Sequence, residues 1–172
     1  QIPPTIADYA HSLTFAIHTT CQELGLPLPQ LIIEPGRAIT GPAGLALYRV
    51  GAIKDIPNIR KYVSVDGGMG DNIRPALYGA SYEAAVANHM SSPPTELVTI
   101  AGKFCESGDV LVYDCLLPVV APGDIIVIPA SGAYCPSMAS TYNLAPRPAI
   151  VMVGQGKARL IRRREKYEDL MA

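Results

Sequence analysis

Two hydrophobic patterns divide the chain. Between residues 6 and 24 apolar side chains recur at helical spacing, and the capping pair Thr5 and Asp8 precedes them. Gly25 is typical of the end of such a helix. The next apolar run, residues 31–33, is apolar on both faces, which favours a buried strand of a parallel sheet. The pattern therefore predicts one helix and one parallel strand in the N-terminal segment.

One helix and one strand cannot bury their own apolar surfaces, because a parallel strand needs neighbours of the same kind. The remaining sequence contains no further strand of this pattern. We therefore expect residues 1–37 to belong to a larger α/β body, most of which this chain lacks or receives from another chain.

From about residue 44 the pattern changes to short apolar runs, which Gly-, Pro- and Asp-rich turns separate. Eight such runs predict an antiparallel sandwich or barrel, so the chain is expected to be mainly β. The predicted strands are 44–53, 61–66, 84–89, 97–101, 110–116, 124–128, 148–153 and 158–163. Short helical turns are expected at 72–78 and 166–170.

Composition narrows the classes of function. Of the 172 residues, 49% are hydrophobic, so a sizeable core can form. A net charge of −1 gives no indication of nucleic acid or of an anionic membrane surface. No apolar run approaches the ~20 residues that a membrane span needs, and no signal-peptide pattern is visible. The four cysteines and three histidines form no zinc pattern, so we expect no metal site and reduced thiols in the cytoplasm.

The run Glu-Pro-Gly-Arg at residues 34–37 follows the predicted parallel strand, at the end where barrel enzymes build their sites. Gly36 would let backbone N–H groups approach an anion closely. The forked guanidinium of Arg37 suits a phosphate or a carboxylate. A plain turn with a solvated arginine is the alternative.

A glycine-rich run at 66–72 follows a predicted strand, but it lacks the residue order of a nucleotide-binding P-loop. Arg74 and Tyr78 come next, four residues apart, so they would share one face of a helical turn. A guanidinium beside a phenol can clamp a carboxylate. A surface arginine that packs on a tyrosine is equally compatible with the pattern.

Residues 105–109 read Cys-Glu-Ser-Gly-Asp between two apolar runs. Such a turn could present a proton donor and a group that binds ammonium, or it could be a hairpin loop that contains a cysteine. Tyr134 could offer its hydroxyl or its ring to a cofactor, or lie at the edge of the core. A cysteine hydrolase built from Cys105, His89 and Asp109 is disfavoured, because no oxyanion-hole pattern follows the cysteine.

In this order, four motifs resemble the diaminopimelate decarboxylase family. They are residues 34–37, 65–78, 105–109 and 132–134. That family belongs to the pyridoxal-phosphate decarboxylases that pair a (β/α)8 barrel with a C-terminal β domain, and the Cys-Glu pair favours it over ornithine and arginine decarboxylases. The resemblance implies that residues 1–43 are the last part of the barrel and that residues 44–172 are the β domain.

The resemblance also implies a cofactor, pyridoxal 5'-phosphate, and a role for each motif. The cofactor would be bound by Glu34, Pro35, Gly36, Arg37 and Tyr134. The substrate meso-diaminopimelate would be bound by Arg37 and Tyr134, by Arg74 and Tyr78 at its distal carboxylate, and by Glu106 at its distal ammonium. Cys105 would return a proton to the α-carbon after CO2 leaves, which gives L-lysine. In the family the Cys-Glu loop reaches the active site of the opposite subunit, which implies a homodimer.

The sequence departs from the family pattern in one respect. The family's cofactor-attaching lysine, glycine-rich phosphate loop and ring-stacking histidine lie on earlier barrel strands, for which this sequence has no counterpart. The lysines present are Lys54, Lys61, Lys103, Lys157 and Lys166, and none is predicted on a barrel strand. We therefore expect the isolated chain to be inactive and to bind the cofactor weakly or not at all. The alternative is a non-catalytic β domain used for dimerisation or ligand binding.

Overall fold

The computed structural model describes residues 4–171 and divides them into two compact units, with the division between Glu34 and Pro35. Residues 1–3 and 172, which the predicted domains 1–43 and 44–172 include, lie outside the described residues. Whether these two domains are a barrel remnant and a β domain stays a prediction. Within residues 4–171, no helix has both the length and the apolar character needed to cross a membrane.

The first unit contains the predicted helix, α1, which spans Ile6–Leu24. Thr5 caps its N-terminus: the Thr5 hydroxyl accepts a hydrogen bond from the Asp8 N–H at 3.2 Å, and the Asp8 carboxylate accepts one from the Thr5 N–H at 2.8 Å. Gly25 ends the helix in the left-handed conformation, with φ of 64°. The expectation from the capping pair and from Gly25 is confirmed.

The predicted parallel strand at 31–33 is not paired within the described residues, and its place in a barrel stays a prediction. The chain runs without strand pairing through residues 26–35, and the side chains of Leu31, Ile32 and Ile33 are exposed. A strand is defined by backbone hydrogen bonds to a neighbouring strand, and no described segment provides a parallel neighbour here. The unpaired run agrees with the expectation that the chain lacks most of the α/β body to which such a strand would belong.

The described part of the second unit contains eight strands. They are β1 Ala46–Ile56, β2 Arg60–Val65, β3 Ala85–Val86, β4 Glu96–Ala101, β5 Val110–Leu117, β6 Ile125–Ile128, β7 Ile150–Gly154 and β8 Lys157–Arg162. The short helices are α2 Arg37–Thr40, α3 Arg74–Tyr78 and α4 Cys135–Met138, with 3-10 turns at Ala87–His89, Tyr142–Leu144 and Tyr167–Leu170. All eight predicted strands are present, although β3 is shorter than predicted because the chain turns into a 3-10 helix at residue 87.

Six strands form one sheet in the order β3-β6-β1-β2-β4-β5, and β7 and β8 form a separate hairpin. Strands β2 and β4 are parallel, so the expectation of a purely antiparallel sheet was wrong. A long excursion between them lets the chain enter β4 in the same direction as β2. The Cys115 Sγ on β5 lies 3.9 Å from the Ala84 carbonyl oxygen next to β3, so the edges approach and the sheet forms a nearly closed barrel.

The core of this unit follows the period of two expected for strands. Buried and partly exposed side chains alternate along β6, where Ile126 and Ile128 are completely buried. Val63 and Val65 on β2 and Ile100 on β4 face the same interior. Branched aliphatic side chains fill it, as is usual for a pleated surface that is buried on one side.

Two glycines bring the chain after α2 against the chain before α4. A Cβ added at Gly132 would lie 1.9 Å from the Thr40 carbonyl oxygen, and one added at Gly44 would lie 2.2 Å from the Gly132 Cα. The Gly132 N–H donates to the Gly41 carbonyl at 3.1 Å, which fixes this approach. The contact therefore determines where Tyr134, two residues further on, is placed.

We expect Gly132→Ala to lower the free energy of unfolding by about 2 kcal/mol or more, because the new methyl group would overlap backbone that cannot move aside. Chemical denaturation of the chain measures this change. Gly154→Ala is the control, since within residues 4–171 no atom beyond its two chain neighbours lies within 4 Å of its added Cβ, and we expect a change within about 0.5 kcal/mol. Equal stability of the two variants would contradict the close approach.

Candidate active site

The side chain of Arg74 lies between two tyrosine rings. Its guanidinium carbon is 5.3 Å from the centroid of the Tyr78 ring and 5.6 Å from that of the Tyr134 ring. Arg74 and Tyr78 are the first and last residues of α3, so the four-residue spacing places them on one face, as expected. Tyr134 reaches the same place from a distant part of the sequence. Both distances are within the range of a cation–π interaction.

Arg74 has an unused hydrogen-bond donor. Its Nε is buried and has no partner within residues 4–171, while the backbone N–H of Arg74 donates to the Asn72 Oδ1 at 3.3 Å. A buried donor without an acceptor is costly, so a ligand that supplies an acceptor would be favoured there. A carboxylate is the group that a guanidinium binds best, through two parallel hydrogen bonds.

The glycine-rich run packs tightly before α3 and forms no open loop. Gly68 N–H donates to the Asp71 Oδ2 at 2.9 Å, and the Asn72 N–H donates to the Gly68 carbonyl at 3.0 Å. A Cβ at Gly67 would lie 2.3 Å from the Tyr48 ring. Burial raises the pKa of the Asp71 carboxyl, and the Gly68 N–H opposes that rise. These glycines serve close packing, which fixes the start of α3 and hence Arg74.

Gly36 and Tyr134 lie side by side. Gly36 has φ of 58°, and a Cβ added to it would lie 3.1 Å from the Tyr134 hydroxyl oxygen. The next residue, Cys135, is buried, and its Sγ is 3.5 Å from the Tyr82 hydroxyl, which fixes the chain at Tyr134. Tyr134 thus contacts the Gly36 turn with its hydroxyl and Arg74 with its ring.

The other residues of the Glu-Pro-Gly-Arg run are exposed. The Arg37 Nη2 donates to the Ala130 carbonyl at 3.4 Å, and the Pro35 carbonyl accepts a hydrogen bond from Ala38 at 3.3 Å. Glu34 is the last residue of the first unit. The roles expected for Glu34, Pro35 and Arg37 stay predictions.

Gly36, Arg37 and Tyr134 fit part of a site for pyridoxal phosphate. A phosphate needs a backbone that it can approach closely and a cation, which Gly36 and Arg37 offer, and the cofactor ring needs an aromatic or polar neighbour such as Tyr134. The attachment lysine is absent from this group, since no described lysine makes a hydrogen bond or an ion pair with it. Lys61, for example, is paired with Glu96 at 2.7 Å.

Cys105 and Glu106 lie on a separate, exposed loop. The Cys105 thiol is free, and the Glu106 Oε1 accepts a hydrogen bond from the Ser107 hydroxyl at 3.2 Å. Within the described residues, neither side chain makes a hydrogen bond or an ion pair with Arg74, Tyr78 or Tyr134. The structure therefore brings the arginine and the two tyrosines together and leaves the Cys-Glu pair free.

Sequence reasoning missed the importance of Asp109, which it considered only as a turn former or as a hydrolase residue. Its side chain is 3% exposed, and it accepts hydrogen bonds from the Met69 N–H at 2.6 Å and from the Phe104 N–H at 2.7 Å. Burial raises the pKa of this carboxyl, and the two N–H groups oppose the rise. Its partners are backbone N–H groups, so no signal in the sequence indicates this role.

The hydrolase alternative is wrong. His89 lies 3.3 Å from the Asp124 carboxylate, and Asp109 bonds backbone N–H groups, so neither is arranged around Cys105. Among residues 4–171 there is also no cluster of three or more His, Cys, Asp or Glu side chains of the kind that holds a metal ion.

Comparison with known proteins shows which family this chain matches. The family described as "Pyridoxal-dependent decarboxylase, C-terminal sheet domain" matches residues 8–132. The diaminopimelate decarboxylase of Synechocystis sp. is 52% identical over 98% of this chain, and that of Bacillus subtilis is 48% identical over 98%. The chain spans only 36% and 38% of the lengths of these two relatives.

A solved structure has the same fold. The diaminopimelate decarboxylase from M. jannaschii in complex with L-lysine superposes with a TM-score of 0.92 at 38% sequence identity, and the match covers 100% of this chain and 38% of that one. The sheet topology is therefore that of a family member, and the family match extends over most of the chain. The chain belongs to the pyridoxal-dependent decarboxylase family, in which it corresponds to the C-terminal sheet domain.

Proposed function

We propose that this chain is the C-terminal part of a diaminopimelate decarboxylase, a pyridoxal-phosphate-dependent lyase that converts meso-diaminopimelate to L-lysine and CO2 in lysine biosynthesis. The observation that carries the proposal is the Arg74 guanidinium between Tyr78 and Tyr134, with a buried Nε that lacks an acceptor. The identity of 52% to a relative of that name supports it.

Recognition of the far end of the substrate would come from two charged groups of this chain. Arg74, with the Tyr78 hydroxyl beside it, would bind the distal carboxylate, and Glu106 would bind the distal ammonium. Together these groups recognise an amino acid end that lysine and ornithine lack, since neither has a second carboxylate. A guanidinium and a carboxylate that bind opposite charges at one end also favour a single orientation of the substrate.

The near end of the reaction would depend on Gly36, Arg37, Tyr134 and Cys105. The cofactor, when bound, supplies an electron sink for the bond that breaks. Gly36 and Arg37 would hold its phosphate, and Tyr134 would fix its position relative to Arg74. Cys105 would hold a proton on Sγ and deliver it to the α-carbon of the substrate, which is general acid catalysis.

A homodimer would bring the two groups of residues into one site. Within residues 4–171 of one chain, the Cys105–Glu106 loop is exposed, and its side chains make no hydrogen bond to Arg74 or to the two tyrosines. We propose that this loop enters the site of the partner subunit, so that a twofold axis makes two equivalent shared sites. Free thiols on all four cysteines are compatible with a cytoplasmic enzyme.

Joining this chain to the portion of the Synechocystis relative that it does not match tests the proposal. We call the product the reconstituted enzyme. The proposal predicts release of L-lysine and CO2 from meso-diaminopimelate. A folded, dimeric reconstituted enzyme without activity would overturn the proposal and favour a non-catalytic dimerisation or ligand-binding domain.

The isolated chain is expected to bind pyridoxal phosphate weakly or not at all, because none of its described lysines lies at the Gly36–Tyr134 contact. Titration followed by the visible absorbance of the cofactor, with gel filtration to remove what is unbound, measures this. A stable band at one cofactor per chain would contradict the expectation. The same titration of the chain unfolded in urea is the control, because it measures how much cofactor reacts nonspecifically with free lysine amino groups.

A further inference from the structure

The carboxylate of Asp109 connects two loops that are distant in sequence. Its Oδ2 accepts the Phe104 N–H at 2.7 Å, within the loop that carries Cys105 and Glu106. Its Oδ1 accepts the Met69 N–H at 2.6 Å, within the glycine-rich loop that precedes α3. Each oxygen therefore serves one loop, and the side chain is almost fully buried between them.

The two loops have glycines where this carboxylate lies. A Cβ added at Gly68 would be 2.3 Å from the Asp109 Oδ1, and one added at Gly102 would be 2.1 Å from its Oδ2. Any side chain at Gly68 or Gly102, even a methyl group, would overlap the carboxylate of Asp109. The slot is thus shaped for an aspartate, and a glutamate, which is longer by one methylene, would overfill it.

Each loop leads within a few residues to a group of the proposed site. On one side, the Asp109 N–H donates to the Glu106 carbonyl at 3.1 Å, which closes the turn. On the other side, the glycine-rich loop ends at Asn72, whose side chain accepts the Arg74 N–H. Gly108 also faces α3, since a Cβ added there would be 3.6 Å from the Ala76 Cβ.

We propose that Asp109 is a positioning residue that fixes the Cys105–Glu106 loop relative to Arg74 on α3. The inference rests on the proposed function, in which these two groups serve different sites of one dimer. Through Phe104, Asp109 sets the loop that enters the partner's site, and through Met69 it sets the arginine of its own site. One buried carboxylate therefore supports both active sites.

The substitution Asp109→Asn separates this role from simple packing. The amide has almost the same volume, but it has one acceptor oxygen, and its NH2 group would face an N–H donor of Met69 or Phe104. At least one loop is then released. Asp124→Asn is the matched control, because Asp124 is also largely buried and accepts a backbone N–H, from Ala121 at 2.8 Å, but bonds neither loop.

Amide hydrogen exchange of this chain tests the hydrogen bonds without any activity. We expect exchange at Met69 or Phe104 to be about tenfold faster or more in Asp109→Asn, because the released N–H loses its buried acceptor. In Asp124→Asn both amides should keep their wild-type rates. Unchanged protection of both amides in Asp109→Asn would overturn the inference, whatever the outcome for the proposed function.

Mixed dimers of the reconstituted enzyme test whether Asp109 of one subunit affects both active sites of the dimer. When wild-type and Cys105→Ala subunits are mixed in equal amounts, about half of the activity should remain, because each heterodimer loses one site. Asp109→Ala removes both acceptor oxygens and therefore releases both loops. When it replaces Cys105→Ala in the mixture, both sites of the heterodimer contain an affected group, so we expect about a quarter of the activity. A mixture with Asp124→Ala should keep nearly all of the activity.

Two results would overturn the inference: full activity of the Asp109→Ala homodimer, or about half of the activity in the mixture of Asp109→Ala with wild type. The second result would mean that Asp109 affects one loop only. If the unmodified reconstituted enzyme is inactive, the proposed function fails instead, and hydrogen exchange alone decides the role of Asp109.

Discussion

Replacing Cys105 with alanine in the reconstituted enzyme is expected to lower kcat by about 10²–10⁴-fold, the range typical of losing a general acid. KM for meso-diaminopimelate should change little, because the thiol is proposed to act on the proton and not on the ends of the substrate. Steady-state release of L-lysine measures both constants. Cys105→Ser, which keeps a weaker donor in the same place, should lie between wild type and alanine.

Cys21→Ala is the matched control for this prediction, since Cys21 is also a free thiol but lies on α1. We expect it to keep kcat within a factor of about two, as for substitutions away from a site. If Cys105→Ala kept the wild-type kcat, the Cys-Glu loop would not deliver the proton, and its exposed thiol would be incidental to the reaction.

Arg74→Ala is expected to lower kcat/KM for meso-diaminopimelate by about 10²-fold or more, because a charge-assisted, bidentate contact to the distal carboxylate is lost. Arg74→Lys keeps the charge but loses the forked donor geometry, so it should recover only part of the loss. The ratio of activity on meso-diaminopimelate to activity on L-lysine should fall in both variants, because lysine has no distal carboxylate to lose.

Arg60→Ala is a close control for the loss of an arginine. Arg60 also lies over a tyrosine ring, at 5.6 Å from that of Tyr113, and forms an ion pair with Asp114 at 3.4 Å. It belongs to β2, and within residues 4–171 it makes no hydrogen bond or ion pair with Arg74, Tyr78 or Tyr134. A selectivity ratio that fell equally in Arg60→Ala and Arg74→Ala would contradict the role of Arg74.

The local parts of the fold could be predicted from the sequence because neighbours in the chain determine them. Thr5 and Asp8 are three residues apart and cap α1 by bonding each other. Arg74 and Tyr78 meet because a helical turn brings together residues four apart. The eight strands likewise followed from alternation and turn residues.

The parts that failed depend on partners that are distant in the chain. Alternation shows which face of a strand is buried but not the direction of its neighbour, so the parallel pairing of β2 with β4 was not predictable.

In the proposed site, too, the contacts between residues distant in the chain could not be predicted from their pattern. Tyr134 is 60 residues from Arg74, and before the structure only the family resemblance placed them in one site. The partners of Asp109 are backbone N–H groups, which carry no mark in the sequence. Its importance could be recognised only when the glycine-rich loop and the Cys-Glu loop were seen in contact.

The most direct test of a site shared between subunits is to mix two inactive variants of the reconstituted enzyme, Cys105→Ala and Arg74→Ala. After subunit exchange, half of the dimers are mixed, and each mixed dimer has one site with both groups intact. We predict recovery of about a quarter of the wild-type activity. Mixing Cys105→Ala with Glu106→Ala, which alter the same loop, should restore none. If Cys105→Ala and Arg74→Ala also restore none although subunits exchange, the two groups act within one subunit and the account is wrong.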